Sequence, residues 1–98
     1  MSRLHWTLRA QSDLLEIARF IARDNPEAAR TWVAMLRKRA RAAARMPRAG
    51  RRVPELGRDD IREVVVRRYR IVYQLSPGGI VVLVVFESHR QIPGGIRK

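Results

Sequence analysis

IREVVVRRYRIVYQLSPGGIVVLVVF, residues 61–86, is a succession of three strand signals separated by two turn signals. In its middle third, Tyr69, Ile71, Tyr73 and Leu75 alternate with Arg70, Val72 and Gln74. Successive side chains of a strand point to opposite sides of a sheet, so the alternation predicts one core face and one partly wet face. Ile61 to Arg67 and Ile80 to Phe86 flank this strand and are rich in the β-branched residues that fit a pleated surface. Ser76-Pro77-Gly78-Gly79 supplies the tight turn before the last strand, because proline presets φ and glycine reaches positive φ without steric cost. The stretch therefore predicts a three-stranded antiparallel meander. Its last strand, Ile80 to Phe86, is apolar at every position, which suits a strand covered on both sides, and its free edge is expected to take another strand.

The N-terminus offers that strand. Leu4, Trp6 and Leu8 alternate with His5 and Thr7, a period of two that predicts a strand from Arg3 to Leu8. From Ala10 the period changes: Ala10, Leu14, Ile17, Ala18 and Ile21 recur at helical spacing, with Gln11, Asp13, Glu16, Arg19 and Arg23 between them. This amphipathic helix ends near Arg23. Asn25-Pro26 breaks it and opens a second helix, since proline disfavours helical geometry before itself but fits a first helical turn. On that second helix Ala29, Trp32, Val33, Leu36, Ala40 and Ala43 form one apolar stripe, with Arg30, Arg37, Arg41, Arg45 and Arg48 gathered opposite. Arg39 falls beside the apolar stripe, where it must snorkel or meet a partner. Met46-Pro47 ends the helix, and Pro47 to Asp60 reads as a basic loop punctuated by Gly50, Pro54 and Gly57. The expected fold class is α+β: an N-terminal strand, an antiparallel helical hairpin and the meander, in one domain over residues 1–98. The expected strand order is first, fourth, third, second, and counting chain direction through the two-helix connection makes the whole sheet antiparallel.

Ninety-eight residues suffice for one compact core and not for two. Nineteen arginines and two lysines against nine acids give a net charge of +12. Nine of those bases, and no acid, lie between Ala28 and Pro54, so the charge is a local feature and a polyanionic partner is its natural complement. Cysteine is absent, which removes disulfides, thiolate nucleophiles and thiolate zinc sites. With His5 and His89 as the only histidines, no metal and no cofactor is expected. The first sixteen residues carry Arg3, Arg9, Asp13 and Glu16, unlike a signal peptide, and no apolar run approaches the roughly 18–20 residues of a membrane span. A cytoplasmic protein with no membrane partner is the expectation.

Few groups suit catalysis. Gly78-Gly79 joins two strands, whereas a phosphate-cradling loop joins a strand to a helix. Glu63 and Glu87 look isolated, and Asp59-Asp60 sit in a turn where solvated or capping roles are the commoner outcome. His5 and His89 form an acid and base pair only if the first strand and the end of the last converge; otherwise each is an ordinary exposed histidine. Ser88 and His89 are adjacent and so point to opposite faces of a strand. Arg67, Arg68, Arg70 and Arg90 are expected to share one cationic patch, either a bidentate clamp for phosphate or carboxylate or a solubilising rim.

The chain resembles the ParE/RelE superfamily of bacterial toxin–antitoxin toxins. The resemblance is carried by Trp6 and the Ala10…Asp13-Leu14…Ile17…Ile21 helix, Asn25-Pro26-Glu27-Ala28-Ala29, and Pro47…Gly50-Arg51…Pro54-Glu55-Leu56-Gly57. It continues through Ile61-Arg62, Arg67-Arg68-Tyr69-Arg70-Ile71-Val72-Tyr73 and Val85-Phe86-Glu87-Ser88-His89-Arg90. It implies a helical hairpin against a small antiparallel sheet, and one of two activities. Members like RelE cut messenger RNA in the ribosomal A site with basic residues on the sheet and a tyrosine, or a histidine–tyrosine pair, near the C-terminus. Arg70 and Arg90 match two of those basic positions. Glu63 and Val65 stand in place of the strand lysines, however, and no tyrosine follows Arg90. The chain is thus more similar to ParE, whose members poison DNA gyrase without a recognised active site. On that implication no residue is catalytic, and Arg67, Arg68, Arg70 and Arg90 form a target or nucleic-acid surface. The resemblance also implies a cognate acidic antitoxin of ParD-like type, DNA gyrase as a partner, and a toxin–antitoxin hetero-oligomer. The net charge and Arg39 suit an acidic amphipathic segment lying across the helical hairpin. Leu15 and Phe20, both off the main stripe of the first helix, are expected to meet that segment or to pack under the loop.

Overall fold

Thr7 is the residue at which strand gives way to helix. The computed structural model describes residues 2–94. In it β1 (Arg3–Trp6) is only four residues long, and α1 (Leu8–Ala22) begins directly after Thr7. The Thr7 hydroxyl accepts the N–H of Ala10 at 3.0 Å, satisfying a helix-end donor that has no intrahelical partner. That cap overrides the alternation expected through Leu8, which opens the helix and is 84% exposed. The helix expected from Ala10 therefore starts two residues earlier. Asn25 caps α2 (Pro26–Arg45) in the same way, its side-chain oxygen accepting the N–H of Ala28 at 3.1 Å with Pro26 at the first helical position.

A 3₁₀ turn (Pro47–Ala49) and a two-residue β2 (Arg51–Arg52) follow, then β3 (Ile61–Val66), β4 (Tyr69–Ser76) and β5 (Gly79–Glu87). The sheet order is β1-β5-β4-β3-β2, so the four expected strands take the expected order, with β2 added at the far edge. The sheet is not wholly antiparallel, because β1 pairs with β5 in parallel, Leu4 opposite Ile80 and Trp6 opposite Val82. The reason lies in α1. It does not turn back over the sheet but advances in the direction β5 itself runs, from Thr7 at Val82 and Leu83 to Asp13 at Val85. One reversal that strand counting assumed is missing. Gly79 permits the parallel pairing to begin, since a Cβ at that position would collide with the backbone of Arg3. Pro77 and Gly78, the latter at φ 78°, make the β4–β5 turn that their residue types predict.

Both faces of the sheet are covered. On the helix side Ala10, Leu14, Leu36, Ala40, Ala43 and Ala44 pack against Val66, Tyr69, Ile71, Tyr73, Ile80, Val82 and Val85. The Tyr73 hydroxyl donates to the Pro47 carbonyl at 2.7 Å, tying the end of α2 to the sheet. On the other side Val53 and Leu56 from the loop, and Ile92 from the C-terminal tail, pack on Ile61, Val72, Val84 and Phe86. The β4 face expected to be partly wet is thereby closed over Arg70 and Val72, leaving them 6% and 0% exposed.

Short β1 leaves the second half of β5 without a strand on that side. Side chains of α1 substitute: the Thr7 hydroxyl donates to the Leu83 carbonyl at 3.1 Å, and the buried Asp13 carboxylate accepts the Val85 N–H at 3.0 Å. Arg9 holds the other Asp13 oxygen at 3.1 Å. Replacing Asp13 with Ala strands a buried N–H, which costs about 1–3 kcal/mol. Thermal unfolding of Asp13→Ala should show a lower midpoint, by about 4–8 °C per kcal/mol for a chain of this size. An unchanged midpoint would mean that water replaces the carboxylate.

Candidate functional site

Arg70, one of the two arginines that match the nuclease's basic positions, is wholly engaged inside the protein. β4 points it at the loop-covered face, where its Nε donates to Glu63 at 2.7 Å and its two terminal nitrogens hold both oxygens of Glu55 at 2.8 and 2.9 Å. Glu63 lies diagonally across from it on β3, since Arg70 is directly opposite Val65 and Glu63 opposite Val72. The Glu63 side chain is 0% exposed, and its second oxygen is bound by Nε of Arg51 on β2. Glu55 also accepts the N–H of Ile92 at 3.3 Å, and the Arg70 guanidinium lies 4.8 Å from the centre of the Phe86 ring. Two arginines and two carboxylates thus form a neutral chain that fastens β2, the loop and the C-terminal tail to the sheet. The hydrogen bonds from Arg70 hold the Glu55 carboxyl at about 2, well below its ordinary 4.5, and the same contacts raise the pKa of Arg70. Glu63, expected to be isolated, is the centre of this chain.

The other expected arginines lie outside. Arg67 and Arg68 form the exposed β3–β4 turn, with Arg67 at φ 55° and its guanidinium 5.9 Å from the Trp32 ring centre. The Arg68 carbonyl accepts the Ser88 N–H at 2.6 Å, which sets this turn beside the segment leading to Arg90. Arg90 is exposed and pairs with Glu87 at 3.4 Å. Three of the four arginines therefore share one end of the sheet at the surface, while Arg70 lies beneath them, its guanidinium donating to the Arg90 carbonyl at 3.4 Å. His5 and His89 do not converge: His5 sits opposite Val81 near the start of β5 and His89 follows its end, and the strand from Val81 to Glu87 alone spans about 20 Å at 3.3 Å per residue. Parallel pairing of β1 to the start of β5 is the cause. Asp59 and Asp60 are engaged by Arg48, Arg62 and Arg58, and Gln74 also donates to Asp60.

Leu15 and Phe20 are exposed, at 51% and 64%, and neither packs under the loop, which lies on the other face of the sheet. Phe20 lines a cleft of about 440 Å³ with Tyr69, Phe86 and Arg90. Arg39 lines a different groove, of about 350 Å³, with Met46 and Val65 between α2 and β3. A third groove, missed in the sequence, runs along the helical hairpin. Ala18, Ala22, Ala29 and Val33 line its floor, Arg19, Arg30 and Arg37 its rim, and its volume is about 530 Å³. The alanines at helical spacing on both helices were the available signal.

Two outcomes test the ion chain. Truncating Arg70 to Ala leaves two carboxylates facing each other in a covered site, at about 3–5 kcal/mol, whereas the double replacement with Glu63→Ala should cost much less than the sum of the two single ones. Urea unfolding of the four proteins measures both. Glu55 has a depressed pKa when folded, so its contribution is complete above about pH 4.5 and is lost as the pH falls towards about 2. Stability of the wild type should decline through that window more steeply than that of Glu55→Gln, followed by acid titration of the unfolding midpoint.

The fold and the sequence agree on relatives. Residues 4–93 match the model of the ParE toxin of type II toxin–antitoxin systems, parDE. Y4kP, a candidate toxin of Sinorhizobium fredii (strain NBRC 101917 / NGR234), is 37% identical over 94 residues, covering 93% of each chain. A chain of the chromosomal ParDE system from P. aeruginosa has the same fold, with a TM-score of 0.72 over 89% of this chain and 96% of that one at 19% identity. A family match that runs from β1 to the tail residue beyond Ile92 leaves one conclusion: this chain belongs to the ParE toxin family of type II toxin–antitoxin systems.

Proposed function

We propose that this toxin works by binding DNA gyrase, and that a cognate acidic antitoxin silences it. The observation that carries the choice is Arg70. A group that stabilises charge at a scissile phosphate must be free to reach it, and the Arg70 guanidinium is occupied on both sides by carboxylates beneath the loop and the tail. Arg90 turns to Glu87 and the cleft on α1, so the two arginines that resemble the nuclease pair do not face one phosphate. The sequence adds that residues 91–98, after Arg90, include no tyrosine. In this reading Arg67, Arg68 and Arg90 make the target surface and Arg70 supports it from within.

The antitoxin part rests on apolar surface flanked by arginine. An amphipathic acidic segment would lay its apolar face along Ala18, Ala22, Ala29 and Val33 and meet Arg19, Arg30 and Arg37 at the rim. A longer wrapping segment would also cover Leu15 and Phe20 and reach Arg39 at the far flank of α2.

Purified protein added to gyrase and relaxed plasmid should block supercoiling or trap strand breaks, and should leave ribosome-bound message intact. Replacing Arg67, Arg68 or Arg90 with Ala should weaken inhibition about fivefold each, the effect of losing roughly 1 kcal/mol. Expression alone should arrest growth, with relief by the protein encoded beside it, which should also raise the melting temperature of the toxin by mass action. Message cleavage that is abolished by Arg90→Ala, with gyrase unaffected, would reverse the assignment.

A further inference from the structure

Every acid close to the second half of α2 in space is already engaged. Asp59 holds Arg48 at 3.0 Å and Arg62 at 2.9 Å, and Glu63 holds Arg51 and Arg70. Between Ala28 and Pro54 there is no acid in the chain. Lys38, Arg41 and Arg45 are exposed, and among the described residues they enter no ion pair and no side-chain hydrogen bond. At 100° per residue they fall with Arg30, Ala34 and Arg37 in a sector about 100° wide, turned away from the buried Ala29, Leu36, Ala40 and Ala43. From Arg30 to Arg45 the row is about 22 Å long at 1.5 Å per residue. Arg37 is partly steered, its guanidinium lying 5.6 Å from the centre of the Trp6 ring.

We infer that this row binds the phosphodiester backbone of a nucleic-acid duplex. Three features separate that partner from an acidic protein segment. Lys38 and Arg41 offer charge without an apolar seat, whereas Arg30, Ala34 and Arg37 at the start of the row also border the alanine-floored groove on the α1 side, where an amphipathic segment would lie. Small Ala34 also lets a backbone approach the helix closely. A duplex carries one charge per 3.4 Å on each strand, so each turn of α2 can neutralise phosphates, and guanidinium groups bind phosphate oxygens bidentately. The helix from Ala28 to Arg45 contains no Asn, Gln or acid, the usual partners of adenine and cytosine edges. Contacts to phosphate alone position a protein without reading sequence. The inference stands apart from the choice of gyrase, because it concerns a different face from Arg67, Arg68 and Arg90.

Fluorescence anisotropy of the full-length protein with a labelled 20-base-pair DNA duplex, and with the RNA duplex of the same sequence, tests it across a salt series. About five phosphate contacts predict a slope near −4.5 on the DNA duplex in the logarithm of the association constant against the logarithm of salt concentration. Lys38→Gln, Arg41→Gln and Arg45→Gln together should flatten that slope by about 3 and weaken binding more than tenfold at low salt. A control with the same charge change elsewhere, Arg3→Gln, Arg23→Gln and Arg52→Gln, should leave the slope within one of wild type. Arg41→Lys with Arg45→Lys should keep it, and circular dichroism should show both variants of α2 folded. Preference for either duplex supports the inference and names its source. Equal losses from both triple variants would reduce the effect to net charge and overturn it. So would an amphipathic acidic peptide that binds through the same three cations more tightly than either duplex.

Discussion

Burying a guanidinium is unfavourable unless its donors are met, and the Arg70 site is arranged around meeting them. Glu63 alone leaves a side of the fork open, so Glu55 must come down from the loop to close it, and Glu55 in turn takes the Ile92 N–H and holds the tail. Val53, Leu56 and Ile92 then cover Val72, Val84 and Phe86, which makes a second small core out of a sheet face that would otherwise face water. The polar chain and the apolar patch depend on each other. Without the cover, the ion pairs would be exposed and contribute little; without the ion pairs, the loop between β2 and β3 would lose the Glu55 contacts that order it against the sheet.

The opposite end of the sheet obeys a different constraint. A four-residue β1 completes only the first half of β5, and an unfinished strand edge would invite pairing with another chain. Thr7 and Asp13 prevent this by bonding to β5 from α1, so the helix serves as the remainder of the strand. This use of α1 fixes its direction along β5, and the direction in turn makes the β1–β5 pairing parallel. A local cap thus determines a global feature of the topology.

The sequence made legible what repeats. Alternation in Tyr69–Leu75, the apolar run at Ile80–Phe86, the 3–4 spacing of the helices and the break at Asn25-Pro26 all appear in the structure, and so does the strand order. Single interactions were hidden. Asp13 is one polar residue on an amphipathic helix, and nothing in its spacing distinguishes a buried acceptor from a solvated acid. β2 is two residues long, shorter than any periodicity can register. Arg70 and Glu63 each alternate correctly with apolar neighbours, but their meeting depends on the β3–β4 register, which places them diagonally on one face. Once that register is known, a base and an acid two positions apart on adjacent strands become a signal for a buried pair. The family resemblance identified Arg70 as a position of interest and could not say which way its charge would be spent.

Charge is divided between the layers of the molecule. The acids of the loop and sheet, Glu55, Asp59, Asp60, Glu63 and Glu87, hold Arg48, Arg51, Arg58, Arg62, Arg70 and Arg90. The four acids of the helical layer, Asp13, Glu16, Asp24 and Glu27, do less of this: Asp13 is drawn down onto β5, and Glu27 meets Arg30 only at 4.0 Å, at the first turn of α2. α2 itself holds six cations against one acid, +5 of the net +12, and there like charges one turn apart repel and weaken the helix. The fold tolerates that cost because Leu36, Ala40, Ala43 and Ala44 anchor the buried side of the same helix in the main core. An anionic partner on this surface removes a repulsion already present as well as adding contacts, so the chain gains stability from association that a charge-balanced helix would not.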